Sequence, residues 1–128
     1  MKANCLLDAS ALLAHLFDEP GGQHVVDRIA EASVTSVNWS ETLQHAIDRD
    51  VELTGLTDEL ESLGMSIIPF TAEHALETAQ MRTPTRHLGL SLADRACLAV
   101  ASEEGLPVLT ADRSWAQLDL GIEIELIR

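Results

Sequence analysis

The apolar positions fall into short runs separated by segments with helical spacing. Ala3 to Leu7 is one such run, bounded by Asp8, and Ser10 to Phe17 follows with small and aliphatic residues that suit a helix ending before Glu19-Pro20-Gly21-Gly22. Val25, Val26, Ile29 and Ala30 recur at helical spacing through Ala32. The β-branched segment Val34-Thr35-Ser36-Val37 then reads as a second strand. A helix is expected from about Asn38, with Leu43, Ala46 and Ile47 on one face, and another from Thr57 to Leu63, closed by Gly64. Ser66 to Pro69 reads as a third strand, and Thr71 or Ala72 to Arg82 as a helix with Ala75, Leu76 and Ala79 inward. Thr83 to Gly89 is irregular. Ser91 opens an apolar helix to about Glu104, Val108 to Thr110 is a fourth strand, Asp112 to Leu118 a short helix or turn, and Ile122 to Ile127 a fifth strand.

Five short strands alternating with helices, most of them too apolar to show a polar face, predict an α/β fold: a buried parallel sheet covered on both sides. No repeat, low-complexity tract or linker interrupts the alternation, so residues 1–128 are read as a single domain. With 46% apolar residues the chain has enough aliphatic side chains for a real core, which excludes a disordered or fibrous class. No apolar run approaches the roughly 20 residues of a membrane span, and the start at Met1-Lys2-Ala3-Asn4 lacks a long apolar leader, so the expected compartment is cytoplasmic. Cys5 and Cys97 lie in apolar segments without metal or redox spacing and are expected to be buried thiols.

Charge narrows the functional classes. Twenty-one acids against eight Lys and Arg give −13, the reverse of the basic footprint of duplex-binding domains. Lys2 is the only lysine, whereas Arg82, Arg86, Arg95 and Arg113 fall in one stretch where a local anion site is open.

Most acids lie on helix faces or in loops, where solvation explains them. Asp8, Glu41 and Asp112 instead follow strands directly or closely, and Asp94 sits in the first turn of the helix opened by Ser91. Capping explains each of these singly: Asn38-x-x-Glu41 and Ser91-x-x-Asp94 match a capping-box pattern, and Asp8 and Asp112 suit N-cap positions. Their coincidence says more, because a parallel sheet gathers its strand exits at one edge, where ligands bind. Two carboxylates about 4 Å apart repel by about 4 kcal/mol at an effective dielectric near 20, so a cluster that stays ionised needs a cation. Hard oxygen donors without Cys or His suit Mg²⁺ or Mn²⁺, and the corresponding chemistry is metal-assisted phosphodiester hydrolysis. His15, His24, His45, His74 and His87 lack ligand spacing.

Other chemistries fail on specific residues. A haloacid dehalogenase-type phosphatase needs an Asp where Ser10 stands, and a response-regulator receiver needs a late-strand Lys. Glycine-rich phosphate loops and the Gly-x-Ser-x-Gly elbow are absent from the sequence.

Four ordered segments resemble the PIN-domain ribonucleases, and within them the VapC-type toxins of toxin-antitoxin modules: Leu6-Leu7-Asp8-Ala9-Ser10-Ala11-Leu12-Leu13, Ser36-Val37-Asn38-Trp39-Ser40-Glu41, Leu90-Ser91-Leu92-Ala93-Asp94-Arg95-Ala96-Cys97-Leu98-Ala99 and Leu109-Thr110-Ala111-Asp112-Arg113-Ser114-Trp115. The resemblance spans nearly the whole chain and implies a PIN-like three-layer sandwich with a five-stranded parallel sheet. It implies an endoribonuclease whose catalytic, metal-binding residues are Asp8, Glu41, Asp94 and Asp112, with Mg²⁺ or Mn²⁺ as cofactor. RNA as substrate, a homodimer and a cognate antitoxin follow from the same likeness. Ala93 departs from the pattern, where Gly is common before the third acid. Arg86, Arg95, Arg113, Ser10 and Thr110 are the candidate substrate contacts, the two hydroxyls being equally suited to supporting the acids. Trp39 and Trp115 suit either the core or stacking on a base. The reading from another class is a non-catalytic PIN-like interaction module in which the acids are caps.

Overall fold

The computed structural model describes residues 3–128; Met1 and Lys2, part of the start read above for a leader, lie outside the described residues. Five strands form one parallel sheet in the order β3-β2-β1-β4-β5: β1 (Cys5–Leu7), β2 (Ala32–Thr35), β3 (Ser66–Ile68), β4 (Val108–Thr110) and β5 (Ile124–Leu126). β1 is central, with Leu6 in register with Ser33 on one side and Val108 on the other. The strands that deliver Asp8 and Asp112 are therefore neighbours.

Side chains alternate across each strand, and both faces are covered. Cys5, Leu7, Val34 and Leu109 point to a core shared with Leu12 and Ala14 of α1 (Ala9–Leu16), Val25 of α2 (Gly22–Val26), Trp39 and Ala46 of α3 (Ser36–Asp48), and Leu60 of α4 (Leu56–Ser62). Leu6 and Val108 point the other way, against Cys97, Leu98, Val100 and Ala101 of α7 (Leu92–Glu104) and against Trp115. Both tryptophans are buried, and Trp39 Nε1 donates to Thr57 Oγ1 at 3.1 Å, so both belong to the core and neither stacks on a base. Among the described residues no helix is long and apolar enough to cross a membrane.

Several boundaries differ from the sequence expectation. The helix expected to run to Ala32 stops at Val26; a 3-10 turn over Ile29–Glu31 follows and Ala32 already opens β2. The second strand ends at Thr35 and not at Val37, because the Thr35 hydroxyl accepts the Asn38 N–H and caps α3, which takes Ser36 and Val37 into its first turn. Asn38 is thus the third residue of the helix and Glu41 lies in its second turn, beyond any capping role. Ile47 of α3 is exposed. The irregular stretch after α5 (Ala72–Gln80) is ordered as α6 (Arg82–Thr85) and a 3-10 turn over Arg86–Leu88, ended by Gly89 at φ +61°.

The inward face of α5 is the clearest correction. Ala75, Leu76 and Ala79 face solvent, Leu76 at 63% exposure, while His74 and Thr78 are buried. Thr71 and His74 form a capping box in which His74 Nδ1 accepts the Thr71 N–H, and His74 Nε2 lies 2.7 Å from Glu103 on α7. Arg95 of α7 donates to the Thr78 carbonyl at 3.2 Å. The His74 pair with Glu103 turns this face of α5 inward against the apolar spacing, and the Thr78 hydroxyl is buried beside it without a hydrogen-bond partner among the described residues.

Candidate active site

Asp8 stands at the exit of β1 and caps α1. Its Oδ1 accepts from Ala11 N at 2.9 Å and from Ser10 Oγ at 2.7 Å; its Oδ2 accepts from Thr110 Oγ1 at 2.5 Å. Thr110 is the last residue of β4, so this bond ties the two central strands together at their carboxyl ends. The Asp8 carboxylate is only 4% exposed. Burial is the main reason that its pKa rises from 3.8 to about 6; the three hydrogen bonds pull it down and the charge of Asp94 pushes it up.

Asp112 is joined to the same network through its backbone, whose N–H donates to Thr110 Oγ1 at 3.0 Å. Its exposed side chain caps the 3-10 turn over Arg113–Gln117 and accepts from Ser114 N and Ser114 Oγ at 3.0 and 2.7 Å. Ser10 Oγ accepts from Ala111 N at 2.8 Å and lies 3.2 Å from Thr110 Oγ1. The fully buried Thr110 hydroxyl is bonded to the Asp8 carboxylate and supports that acid.

Asp94 arrives from the other layer. It forms the capping box of α7, its N–H donating to Ser91 Oγ at 3.1 Å and its Oδ2 accepting from Ser91 N at 3.0 Å. Glu41 rises from α3, half-buried, and burial followed by the nearby charge of Asp94 lifts its pKa; His45 acts weakly the other way. Asp94 thus acts on both Asp8 and Glu41. Cys97, one turn after Asp94, is fully buried, and its thiol is pushed well above its ordinary range by burial and then by Asp8, Asp94 and Glu41. The charges of these three carboxylates all reach Cys97.

The four acids do not form a closed cage: among the described residues no three His, Cys, Asp or Glu side chains are gathered tightly enough to enclose a metal ion. The donor set nevertheless suits one class of ion. It is all oxygen, it is under like-charge pressure, and Mg²⁺ takes one or two carboxylates and completes its shell with water. Asp8, Asp94 and Glu41 are the acids that would supply one or two carboxylates to such an ion, with water completing its shell and Asp112 at the margin.

The candidate substrate arginines are divided. Arg95 is half-buried along α5, its Nε without a partner. Arg86 and Arg113 are exposed, Arg113 directly after Asp112. Among the described residues the arginine ion pairs are made by Arg28, Arg49 and Arg128, on the acids Glu125 and Glu19.

The Asn38-x-x-Glu41 pattern suggests Asn38 as a helix cap, but Thr35 takes that place and Asn38 has another role in the site region. Asn38, 1% exposed, accepts the Thr35 hydroxyl proton at 2.6 Å and donates from Nδ2 to the Ala93 carbonyl at 3.0 Å. The Thr35-x-x-Asn38 spacing is the local signal for its place on the helix; the contact to Ala93, 55 positions away, has none.

A profile of the PIN domain family matches residues 5–120, which includes all four acids. No curated protein sequence matches the chain. Among solved structures, the chain is similar to a toxin-antitoxin complex from Klebsiella pneumoniae (18% identity, 98% of each chain, TM-score 0.74). It is also similar to DNA-bound VapBC from Salmonella typhimurium (17% identity, 98% of this chain and 99% of that one, TM-score 0.72) and to VapBC-5 from Mycobacterium tuberculosis (24% identity, 98% of each chain, TM-score 0.58). With its central β1 and β4 delivering Asp8 and Asp112 to one sheet edge, and its sequence matched over nearly its full length, this chain belongs to the PIN domain family.

Proposed function

We propose that the chain is a metal-dependent endoribonuclease, the toxin of a type II toxin-antitoxin pair, with Asp8, Glu41, Asp94 and Asp112 as its acidic centre. The observation that carries the reading is Glu41. Capping accounts for Asp8, Asp94 and Asp112, and those three alone would suit a non-catalytic interaction module. Among the described residues Glu41 is neither a cap nor an ion-pair partner, since Thr35 caps its helix, yet it is half-buried under the repulsion of Asp94. A carboxylate held at such a cost without a structural partner is the mark of a site that expects a cation.

When bound, Mg²⁺ or Mn²⁺ acidifies a water and stabilises charge on a phosphodiester. The chain's own residues do the rest. Thr110 and Ser10 hold Asp8 in a fixed orientation, and the Ser91–Asp94 box does the same for Asp94. Exposed Arg86 and Arg113 are the proposed phosphate contacts, since Arg binds phosphate bidentately and without losing its charge. Single-stranded or structured RNA suits the site better than duplex DNA, because a −13 chain lacks the basic track a duplex requires.

The structures named above include complexes of toxins with antitoxins. We extend that assembly to this chain: a cytoplasmic homodimer inhibited by an antitoxin whose tail sets an Arg or Lys among the carboxylates. The test is cleavage of RNA by purified protein with Mg²⁺ or Mn²⁺, and its loss in Asp8→Asn. Equal cleavage in excess EDTA, or a fully active Asp8→Asn protein, would refute the reading.

A further inference from the structure

Asn38 joins the two helices that carry Glu41 and Asp94. It lies one turn before Glu41 on α3, and its Nδ2 donates to the carbonyl oxygen of Ala93. That carbonyl belongs to the peptide unit whose nitrogen is Asp94 N. The Asp94 N–H of the same unit donates to Ser91 Oγ. One peptide plane, at the root of the Asp94 side chain, is therefore held at its oxygen by Asn38 and at its hydrogen by Ser91.

The other end of the Asn38 amide is equally committed. Its Oδ1 accepts from the Thr35 hydroxyl, and that hydroxyl oxygen accepts the Asn38 N–H. Thr35 is the last residue of β2. A continuous chain of hydrogen bonds thus runs from the end of β2, through the Asn38 amide, to the peptide of Asp94, all of it buried up to Ala93. Helix packing alone leaves two helices free to slide by fractions of an ångström. A satisfied amide at 1% exposure does not, since separating its partners strands polar groups away from water.

The geometry points to Asn38 as a positioning residue for the acidic centre: it sets the position of Asp94 relative to Glu41, and so the affinity of the site for a divalent cation. Only an amide serves here, because the position needs an acceptor toward Thr35 and a donor toward Ala93 on one rigid group. An Asp of the same shape would face the Ala93 carbonyl with a second oxygen and add a charge beside Glu41. This inference rests on the metal-nuclease reading above.

The test is Mn²⁺ binding by titration calorimetry on the full chain, with Asn38→Ala and Asn38→Ser, and with Thr57→Val as the control. Thr57→Val removes another interhelical hydrogen bond of α3, the one to Trp39 Nε1. Partners that orient metal ligands typically carry about 10–100-fold in metal affinity, so both Asn38 variants are expected to bind Mn²⁺ at least about tenfold more weakly. Thr57→Val is expected to bind within about twofold of the parent. If Asn38→Ala does not fold, Asn38→Ser, which keeps a small hydroxyl in the buried position but cannot supply the acceptor toward Thr35 and the donor toward Ala93 together, decides the matter. Parent-like binding by a folded Asn38 variant, or equal weakening in Thr57→Val, overturns the positioning role while leaving the metal reading in place. A parent protein that binds no Mn²⁺ overturns both.

Discussion

The Thr110 hydroxyl donates to the buried Oδ2 of Asp8 and accepts the backbone N–H of Asp112, so one side chain at the end of β4 serves two acids at once. Thr110→Val keeps the shape and removes both bonds. The bond from Thr110 is the strongest influence lowering the Asp8 pKa, so its loss moves that pKa above its present value of about 6. The expected result is an acid limb of the pH–rate profile shifted to higher pH, with a stability loss of about 1–3 kcal/mol from the stranded carboxylate oxygen. An unmoved acid limb would show that Asp8 is not the group titrating there.

Asp8 also makes an ordered prediction for stability in EDTA. A carboxyl whose pKa is raised in the folded protein binds its proton more tightly there than in the unfolded chain. Its stabilising contribution is complete below pH 3.8 and is lost as the pH rises through about 6. The interval corresponds to about 3 kcal/mol. Asp8→Asn retains the N-cap and does not ionise. Measured by urea unfolding, the variant should gain up to about 3 kcal/mol on the parent between pH 4 and pH 7. Parallel stability curves for the two proteins would contradict the burial argument.

Glu41→Gln separates the structural from the catalytic role of the acids. Because Glu41 makes no cap and no ion pair among the described residues, its neutral isostere should leave the unfolding midpoint in EDTA unchanged or raise it, by relieving repulsion from Asp94. RNA cleavage should fall by about 100-fold or more, to the level seen when EDTA removes the metal from the parent. A destabilised but active Glu41→Gln protein would assign Glu41 to the fold.

These contrasts follow from what local chemistry can and cannot disclose. The exits of β1 and β4 and the Ser91–Asp94 box were legible because a strand end, a cap and a capping box are each written within four residues. The end of β2 was misplaced by two residues for a related reason: Val34 to Val37 has β-branched composition throughout, but the Thr35 hydroxyl ends the strand by capping α3. The orientation of α5 is not legible, since the partner of the buried His74, Glu103, lies 29 positions along the chain. A buried imidazole satisfied from another helix leaves no periodic trace. The same holds for the link from Asn38 to Ala93.

On the proposed nuclease reading a −13 chain must still attract a polyanion, and the arginines decide whether it does. If they served only to balance surface charge, they would be found beside acids. Arg28, Arg49 and Arg128 are found there; among the described residues Arg82, Arg86 and Arg113 take no part in any ion pair. Arg113 also follows Asp112 directly, at the edge where β1 and β4 deliver their acids. Of the candidate substrate contacts Arg86, Arg95 and Arg113, Arg95 is already committed to the Thr78 carbonyl, so Arg86 and Arg113 are the pair to test. Each phosphate contact on a single strand contributes about 0.7 to the slope of log affinity against log salt. Replacing both Arg86 and Arg113 with Ala should therefore raise KM for RNA, leave kcat near the parent value and flatten the salt slope by about 1.4. A flattening of about 0.7 would assign the contact to one of the two, which the single variants then identify. An unchanged slope and KM would place substrate phosphates elsewhere on the chain.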